Sequence, residues 1–462
     1  MKYFFAILII INTLLIGACE DSSESIFIEP TGKGTFRMIN AIKAAPTINF
    51  TIEQKILAGA NYRSSTNLYQ YDDLDYQFNF DVRYAGSSFA TLLSSQQLNV
   101  IADTEYTFLV NGSLENPSIT IWEYSDQDAN ILATSFNIRF AHTAESFGNL
   151  DYYFNLSGET PMIGDVIGTI SFGEIMAPIN FVEGDYVLTI TEEGLPNSIV
   201  FQSDVVSLES GARYTITPFD GGENTTGPMI VKYYSTITGV GAQNEGAITD
   251  INYPSTSEFV NASLEMNAVD IYEGSITASS IPWAADHNFK DITNEVQLPS
   301  GNDPFIYVPT GLTSPELINF TVGDNDGNDG IRARTFAVGK NNEFEISTYL
   351  PDRRPIDTAA KLEIFNANSN FNSVDIYVVE ADTLIDEQTP IISDVSSNST
   401  TGPALLPADS YDIYITQSSE KNILTGPIRL DVELRDVFSG IIFDEVDPSI
   451  VDLQIFEENQ AP

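Results

Sequence analysis

The stretch from Asn366 to Tyr377, NANSNFNSVDIY, decides how the chain is read, because versions of it occur four times. Each version starts with Asn or His followed by Ala or Thr, at Asn40-Ala41, His142-Thr143, Asn261-Ala262 and Asn366-Ala367. Nine residues further on, Asn or Asp stands between apolar neighbours, in Ile48-Asn49-Phe50, Leu150-Asp151-Tyr152, Val269-Asp270-Ile271 and Val374-Asp375-Ile376. Successive copies start 102, 119 and 105 residues apart. A period of about one hundred residues is too long for a solenoid and suits a small domain.

Around these landmarks the chain alternates short apolar runs with Gly, Pro, Ser, Thr and Asn about every eight to twelve residues, the spacing of all-β domains. Segments such as TFRMINA from Thr35 and DYVLTIT from Asp185 carry the alternation of half-buried strands. The expectation is an all-β chain of four tandem immunoglobulin-like β-sandwich repeats. Their bounds are residues 35–126, 131–235, 252–350 (the most divergent) and 357–462, after a signal peptide over 1–18 and a flexible tether over 19–34. Thr236 to Asp250 reads as a Gly-rich linker, and Pro351-Asp352-Arg353-Arg354-Pro355 as a polar hinge. Two further landmarks support the register. One is an aromatic strand at Tyr76, Tyr186, Phe305 and Tyr411, the other an aromatic late strand at Tyr106, Tyr214, Phe344 and Phe438.

The 462 residues carry 65 acidic and 20 basic side chains, a formal net charge of −45. Nucleic acid is excluded as a partner, since phosphate binding needs clustered Lys and Arg. An acidic surface keeps an exported protein soluble; the sharper reading is that carboxylates gather divalent cations.

The single cysteine, Cys19, rules out a disulfide framework. Lys2 supplies a short positive region and Tyr3 to Ile16 an apolar one, too short to span a bilayer comfortably and interrupted by Asn12 and Thr13. Ile16-Gly17-Ala18-Cys19 follows, an aliphatic residue and two small ones before the cysteine. This ending resembles the bacterial lipoprotein signal, which implies that Cys19 is lipidated as the first residue of the mature chain. The expected location is the cell envelope, anchored to a membrane by the N-terminal lipid.

The second and fourth repeats resemble the β-sandwich family known as domain of unknown function 4397. The likeness is carried by Arg139-Phe140-Ala141-His142-Thr143 with Leu150-Asp151-Tyr152-Tyr153, and by Ile364-Phe365-Asn366-Ala367 with Val374-Asp375-Ile376-Tyr377. Departures are plain: Asn replaces His in three copies, and the loop proline survives as Pro46. The Arg of the pattern stands at Arg37 and Arg139 but is Glu258 and Glu363 in repeats three and four. The resemblance implies an exported sandwich domain, often in tandem, with no established activity.

His142 is occupied by Asn in the sister repeats, and Asn cannot exchange a proton near neutral pH. What the two share is a short polar side chain able to hydrogen-bond the backbone of a turn. Asp151, Asp270 and Asp375, which share a site with Asn49, yield to the same argument. His287 is the only other histidine, and no GxSxG, P-loop or dinucleotide fingerprint is present.

Asp324-Asn325-Asp326-Gly327-Asn328-Asp329-Gly330 begins like a calcium loop, with oxygen ligands at Asp324, Asp326, Asn328 and Asp329. It then lacks the glycine at position six and the glutamate at position twelve, and it is also what a hairpin turn looks like. Calcium is the one cofactor expectation.

The function expected is non-enzymatic: a lipid-anchored binding, scaffold or adhesion module taking a glycan or surface-protein ligand, since like domains multiply weak contacts or add reach. The alternative is a carboxylate-dependent hydrolase of polysaccharide working from repeat three.

Overall fold

The structure is a computed structural model that describes residues 29–125, 134–159, 165–237, 243–273, 276, 279–298, 305–311, 330–340 and 343–458. The described residues fold almost wholly into β-strands, with one short 3-10 turn at Leu264–Met266. They form four two-sheet sandwiches.

In the first unit one sheet runs Tyr69–Asp72, Lys33–Asn40, Thr104–Gly112, Pro117–Ser125, and the facing sheet Lys55–Ala60, Ile48–Ile52, Asp75–Arg83, Ala90–Asn99. Numbered along the unit, the orders are 4-1-7-8 and 3-2-5-6. The second unit repeats both orders. Its opening strand Ser135–Phe140 lies beside Ala212–Asp220, and Leu150–Leu156 beside Asp185–Glu192. In the third unit Thr256–Asn261 lies beside Arg332–Lys340, with three described strands in the facing sheet. The fourth places Ala360–Asn366 beside Val437–Asp444, opposite a four-stranded sheet containing Ser373–Glu380 and Asp409–Gln417. In all four, the opening strand pairs in parallel with the seventh. The likeness to immunoglobulin domains is one of architecture and size, because the order 4-1-7-8 facing 3-2-5-6 differs from the immunoglobulin order of ABED facing CFG.

Each sandwich closes over its own core, for example Phe36, Phe50, Phe78 and Phe108 in the first unit and Leu362, Ile376, Ile413 and Leu453 in the fourth. The opening strands are buried on both faces, which is why they read as nearly unbroken apolar runs. The inward residues fill the sandwich and the outward ones pack on a neighbouring unit. Ile39, Leu109 and Trp122 of the first unit meet Ala141, Phe219 and Tyr234 of the second. Val260, Phe336 and Val338 of the third meet Phe365, Ile441 and Phe443 of the fourth. In both pairs the contact is made by the residues that flank the Asn/His landmark, so the units join back to back through one recurring surface.

An aromatic residue on the eighth strand faces this contact in every unit. Trp122, Tyr234, Tyr349 and Phe456 stand opposite Thr107, Thr215, Arg334 and Ser439 on the seventh strand. That equivalence was not visible as a sequence motif, because the four residues share only aromaticity.

Four sequence expectations need correction. Gln243–Ile248, inside the expected linker, is a fifth strand on the second unit's sheet, paired with Met229–Ile237. The expected hinge at 351–355 is a largely buried strap, with Arg353 only 4% exposed. Phe344 lies on the eighth strand of its unit, whereas Tyr106, Tyr214 and Phe438 lie on the seventh. The true counterpart is Ala333, paired with Ser257 as Tyr106 is with Phe36; with no aromatic there, matching by residue type slips one strand. Phe305 is likewise in register with Leu188 rather than with Tyr186, as their pairing to Val269–Glu273 and Leu150–Leu156 shows.

Candidate functional site

The landmark residues end the opening strands, and each holds the loop that crosses to the facing sheet. Asn40 accepts the Ile42 N–H through Oδ1 (3.0 Å) and donates from Nδ2 to the Ala60 carbonyl (3.1 Å). Asn261 accepts from Ser263 (3.3 Å) and donates to the carbonyls of Asn267 (2.6 Å) and His287 (3.0 Å). Asn366 accepts from Asn368 (3.3 Å) and donates to Val395 (2.9 Å). His142 takes the same part with its two ring nitrogens. Nδ1 accepts the Ala144 N–H (3.3 Å), and Nε2 lies 2.7 Å from the Gly148 carbonyl, the pairing of a neutral imidazole protonated on Nε2. Burial lowers the pKa of His142, which keeps this acceptor–donor form at neutral pH. His287 is also lowered by burial, and its Nε2 meets the Phe259 carbonyl at 3.0 Å.

Asp151, Asp270 and Asp375 tie the second strand of their units to the turn after the fifth. Asp151 accepts the Gly194 N–H (2.8 Å), Asp270 the Gly311 N–H (3.1 Å) and Asp375 the Ser419 N–H (2.9 Å). All three turn residues have positive φ, near 69°, 80° and 61°, so their N–H groups point away from any strand partner and toward the carboxylate. The other oxygen is filled from the third strand, by Thr169 Oγ1, the Asp286 N–H and the Asp394 N–H. Asn49 departs from this and donates to Asp81 (2.8 Å). These side chains are committed to the fold.

Cys19 and the string Asp324 to Asp329 lie outside the described residues. Among the described residues no group of three or more His, Cys, Asp or Glu is placed to hold a metal ion, and no helix is long and apolar enough to cross a membrane.

The concave feature that stands out lies where three units meet. It is a cleft of about 460 Å³ lined by Lys43 and Arg63 of the first unit, Glu223 of the second, and Asp352, Arg354 and Lys361 around the strap. The strap builds it. The Arg353 N–H donates to Asn224 Oδ1 (2.7 Å), and Asn224 Nδ2 to Asp352 (2.8 Å). Arg354 crosses into the first unit, donating from Nη1 to the carbonyls of Lys43 and Ala45, both at 2.6 Å, with its guanidinium over the Tyr62 ring. Lys361 Nζ meets the Asp352 carboxylate at 2.7 Å. Burial pushes Asp352 up, but Arg354 and Lys361 outweigh it and hold this carboxyl below its ordinary value. Burial lowers Arg354 and Lys361, and Arg63 beside Arg354 lowers it further. The sequence signal for this site was the pair Arg353-Arg354 in a chain poor in cations. Their side chains part company, Arg353 entering the contact between the third and fourth units and Arg354 the cleft.

Residues 34–153 match the family described as domain of unknown function (DUF4397). The matched stretch takes in the first unit and the opening of the second as far as His142 and Asp151. No curated protein matches the chain.

Proposed function

We propose that the protein is a non-enzymatic, lipid-anchored protein of the cell envelope that acts as a binding or scaffold module through its sandwich units. The observation that carries this reading is the commitment of the recurring polar residues. His142 and the three aspartates, which a catalytic reading would recruit first, each spend both polar ends on nearby backbone or hydroxyl groups. The described acids of the third unit's contact face are engaged in the same sense: Glu258 binds Arg334 and Arg353, both at 2.7 Å, and Glu295 lies 3.1 Å from Arg353. Anchoring rests on Ile16-Gly17-Ala18-Cys19, and calcium at Asp324, Asp326, Asn328 and Asp329 remains part of the proposal as a weak ligand.

The test is a glycan and surface-polymer binding screen of the full chain, with release of reducing ends followed in the same wells. Binding without release supports the module. Release that disappears on substitution of a third-unit carboxylate installs the hydrolase instead. For the anchor, a fatty-acid analogue should label the wild type, and labelling that persists in Cys19→Ala overturns the lipid. For calcium, millimolar ion should raise the melting temperature of the wild type but not of Asp324→Ala/Asp326→Ala.

A further inference from the structure

We propose that the cleft between the first, second and fourth units binds a small anion through its phosphate or carboxylate oxygens, with Lys43 and Arg63 as the groups that meet it. The inference rests on the binding reading above and gives it a ligand class.

The argument is one of charge left over. Lys43, Arg63, Arg354 and Lys361 line the cleft, against the carboxylates of Glu223 and Asp352. Arg63 and Arg354 donate mainly to neutral carbonyls: Arg63 from Nη2 to the Asp220 carbonyl (2.5 Å), and Arg354 to those of Lys43 and Ala45. A carbonyl satisfies a donor without cancelling its charge. Asp352 is shared, 2.7 Å from Lys361 and 3.6 Å from Arg354. Lys43 reaches Glu223 only at 3.7 Å, and its side chain is 42% exposed. Arg63 Nε is buried and has no hydrogen-bond partner. An unpaired buried donor is costly unless an acceptor arrives.

This gathering of cations occurs in a chain of net charge −45. The volume falls in the range of about 300 to 1,000 Å³ typical of small-molecule sites. Ile356, Pro403 and Leu405 supply an apolar wall beside the cations, which suits a compact organic anion. A guanidinium and an ammonium converging on one space are the usual recognition of carboxylate or phosphate oxygens. An anion seated there touches three units at once, so it would also brace the closure of the fourth unit on the first.

The experiment is isothermal titration of the full-length protein in detergent with inorganic phosphate and, separately, glucuronate, at ionic strength fixed by sodium chloride. We expect saturable binding of at least one of them. Lys43→Gln, whose side chain is half exposed, should weaken it about tenfold, the loss of one charge-assisted contact. Arg63→Gln should weaken it as well, and Lys33→Gln, a surface lysine of the same unit paired with Asp72, should leave it unchanged. Phosphate binding alone assigns a phosphate-bearing ligand, and glucuronate binding alone an acidic sugar; either supports the site. No saturable heat with either anion, or equal binding by wild type and Lys43→Gln, overturns it. That failure leaves the polymer screen standing, and an empty screen leaves phosphate binding readable, so the two proposals fail separately.

Discussion

The first and second units and the third and fourth join through the same surface, yet the two contacts are wired with opposite charge. Three residues before the landmark stand Arg37 and Arg139 in the first pair, Glu258 and Glu363 in the second. In the first pair Arg37 and Arg213 both lie 3.4 Å from Glu105, and both guanidinium groups also rest on aromatic faces, Arg37 over Tyr234 and Arg213 over Tyr124. In the second pair two arginines are laced among three acids: Arg334 meets Glu258 (2.7 Å) and Glu458 (3.0 Å), and Arg353 meets Glu258, Glu295 and Glu458. The apolar part of the surface is common to all four units and cannot tell one neighbour from another. The Arg/Glu reversal can, since pairing the first unit with the third would set arginine donors and glutamate acceptors in the wrong company.

The largest effect should come from cutting the denser lattice. The two tryptophans separate the measurement, because Trp122 lies in the first contact and Trp283 packs on Phe305 in the third unit. Arg334→Met, read by Trp283 fluorescence in a Trp122→Phe background, should cost about 3–5 kcal/mol in urea unfolding, the penalty for leaving buried partners uncompensated. Arg37→Met, read by Trp122 with Trp283 replaced, should cost only about 1–2 kcal/mol, because Glu105 keeps Arg213. Equal losses would erase the distinction between the pairs.

Next come the landmarks. Asn261→Ala strands the carbonyls of Asn267 and His287 inside the third unit and should cost about 1–3 kcal/mol. His142→Asn, which restores the residue of the sister repeats, should stay within about 1 kcal/mol of wild type. A loss as large as that of Asn261→Ala would show that the imidazole does something an amide cannot.

Much of this was legible in the chain. The strand rhythm gave the all-β class, and the interchange of Asn with His at a fixed offset gave a structural rather than catalytic role, since only hydrogen bonding to a turn is common to both side chains. The Arg-to-Glu change was visible, but its meaning was not. A charge is explained by what faces it, and Glu458 stands 200 residues from Glu258 in sequence. The cleft was hidden for the same reason: Lys43, Glu223 and Arg354 belong to three units, and no local pattern records which units touch. In the third unit the aromatic landmarks misled because Ala333 holds the place that Tyr106 holds in the first.

Acid should act on the second pair in a definite direction. Burial pushes Glu458 up, but Arg334 and Arg353 outweigh it and hold its carboxyl below the ordinary range. A depressed carboxyl contributes stability that is present above the unfolded value, about 4.3, and is lost as pH falls through the folded one. Glu363 runs the other way, because burial raises its pKa, so its charged form opposes folding and protonation relieves that. On acidification the Trp283 transition should therefore hold or rise slightly before it falls. Glu458→Gln should shrink the fall, with the depressed Asp352 carboxyl accounting for part of what is left, and Glu363→Gln should remove the rise. A fall that survives Glu458→Gln unchanged would detach acid sensitivity from the lattice.

The smallest effect tests a neutral polar contact of the first pair. The eighth-strand aromatic of the second unit, Tyr234, reaches back into the first, where its hydroxyl donates to the Arg63 carbonyl at 2.7 Å. Burial raises the pKa of this hydroxyl well above its ordinary value, so it stays a donor across the accessible pH range. Its counterpart in the fourth unit, Phe456, has no hydroxyl to offer, and there Arg334 lies over the ring while ion pairs carry the polar work. Tyr234→Phe keeps the ring beneath Arg37 and deletes only the hydrogen bond, so it should cost about 1 kcal/mol. The loss should appear in the Trp122 transition and leave the Trp283 transition in place. If both move together, the two contacts unfold as one unit and the independent wiring of the pairs is wrong; if neither moves, the polar handle is idle and the first contact rests on its apolar surface alone.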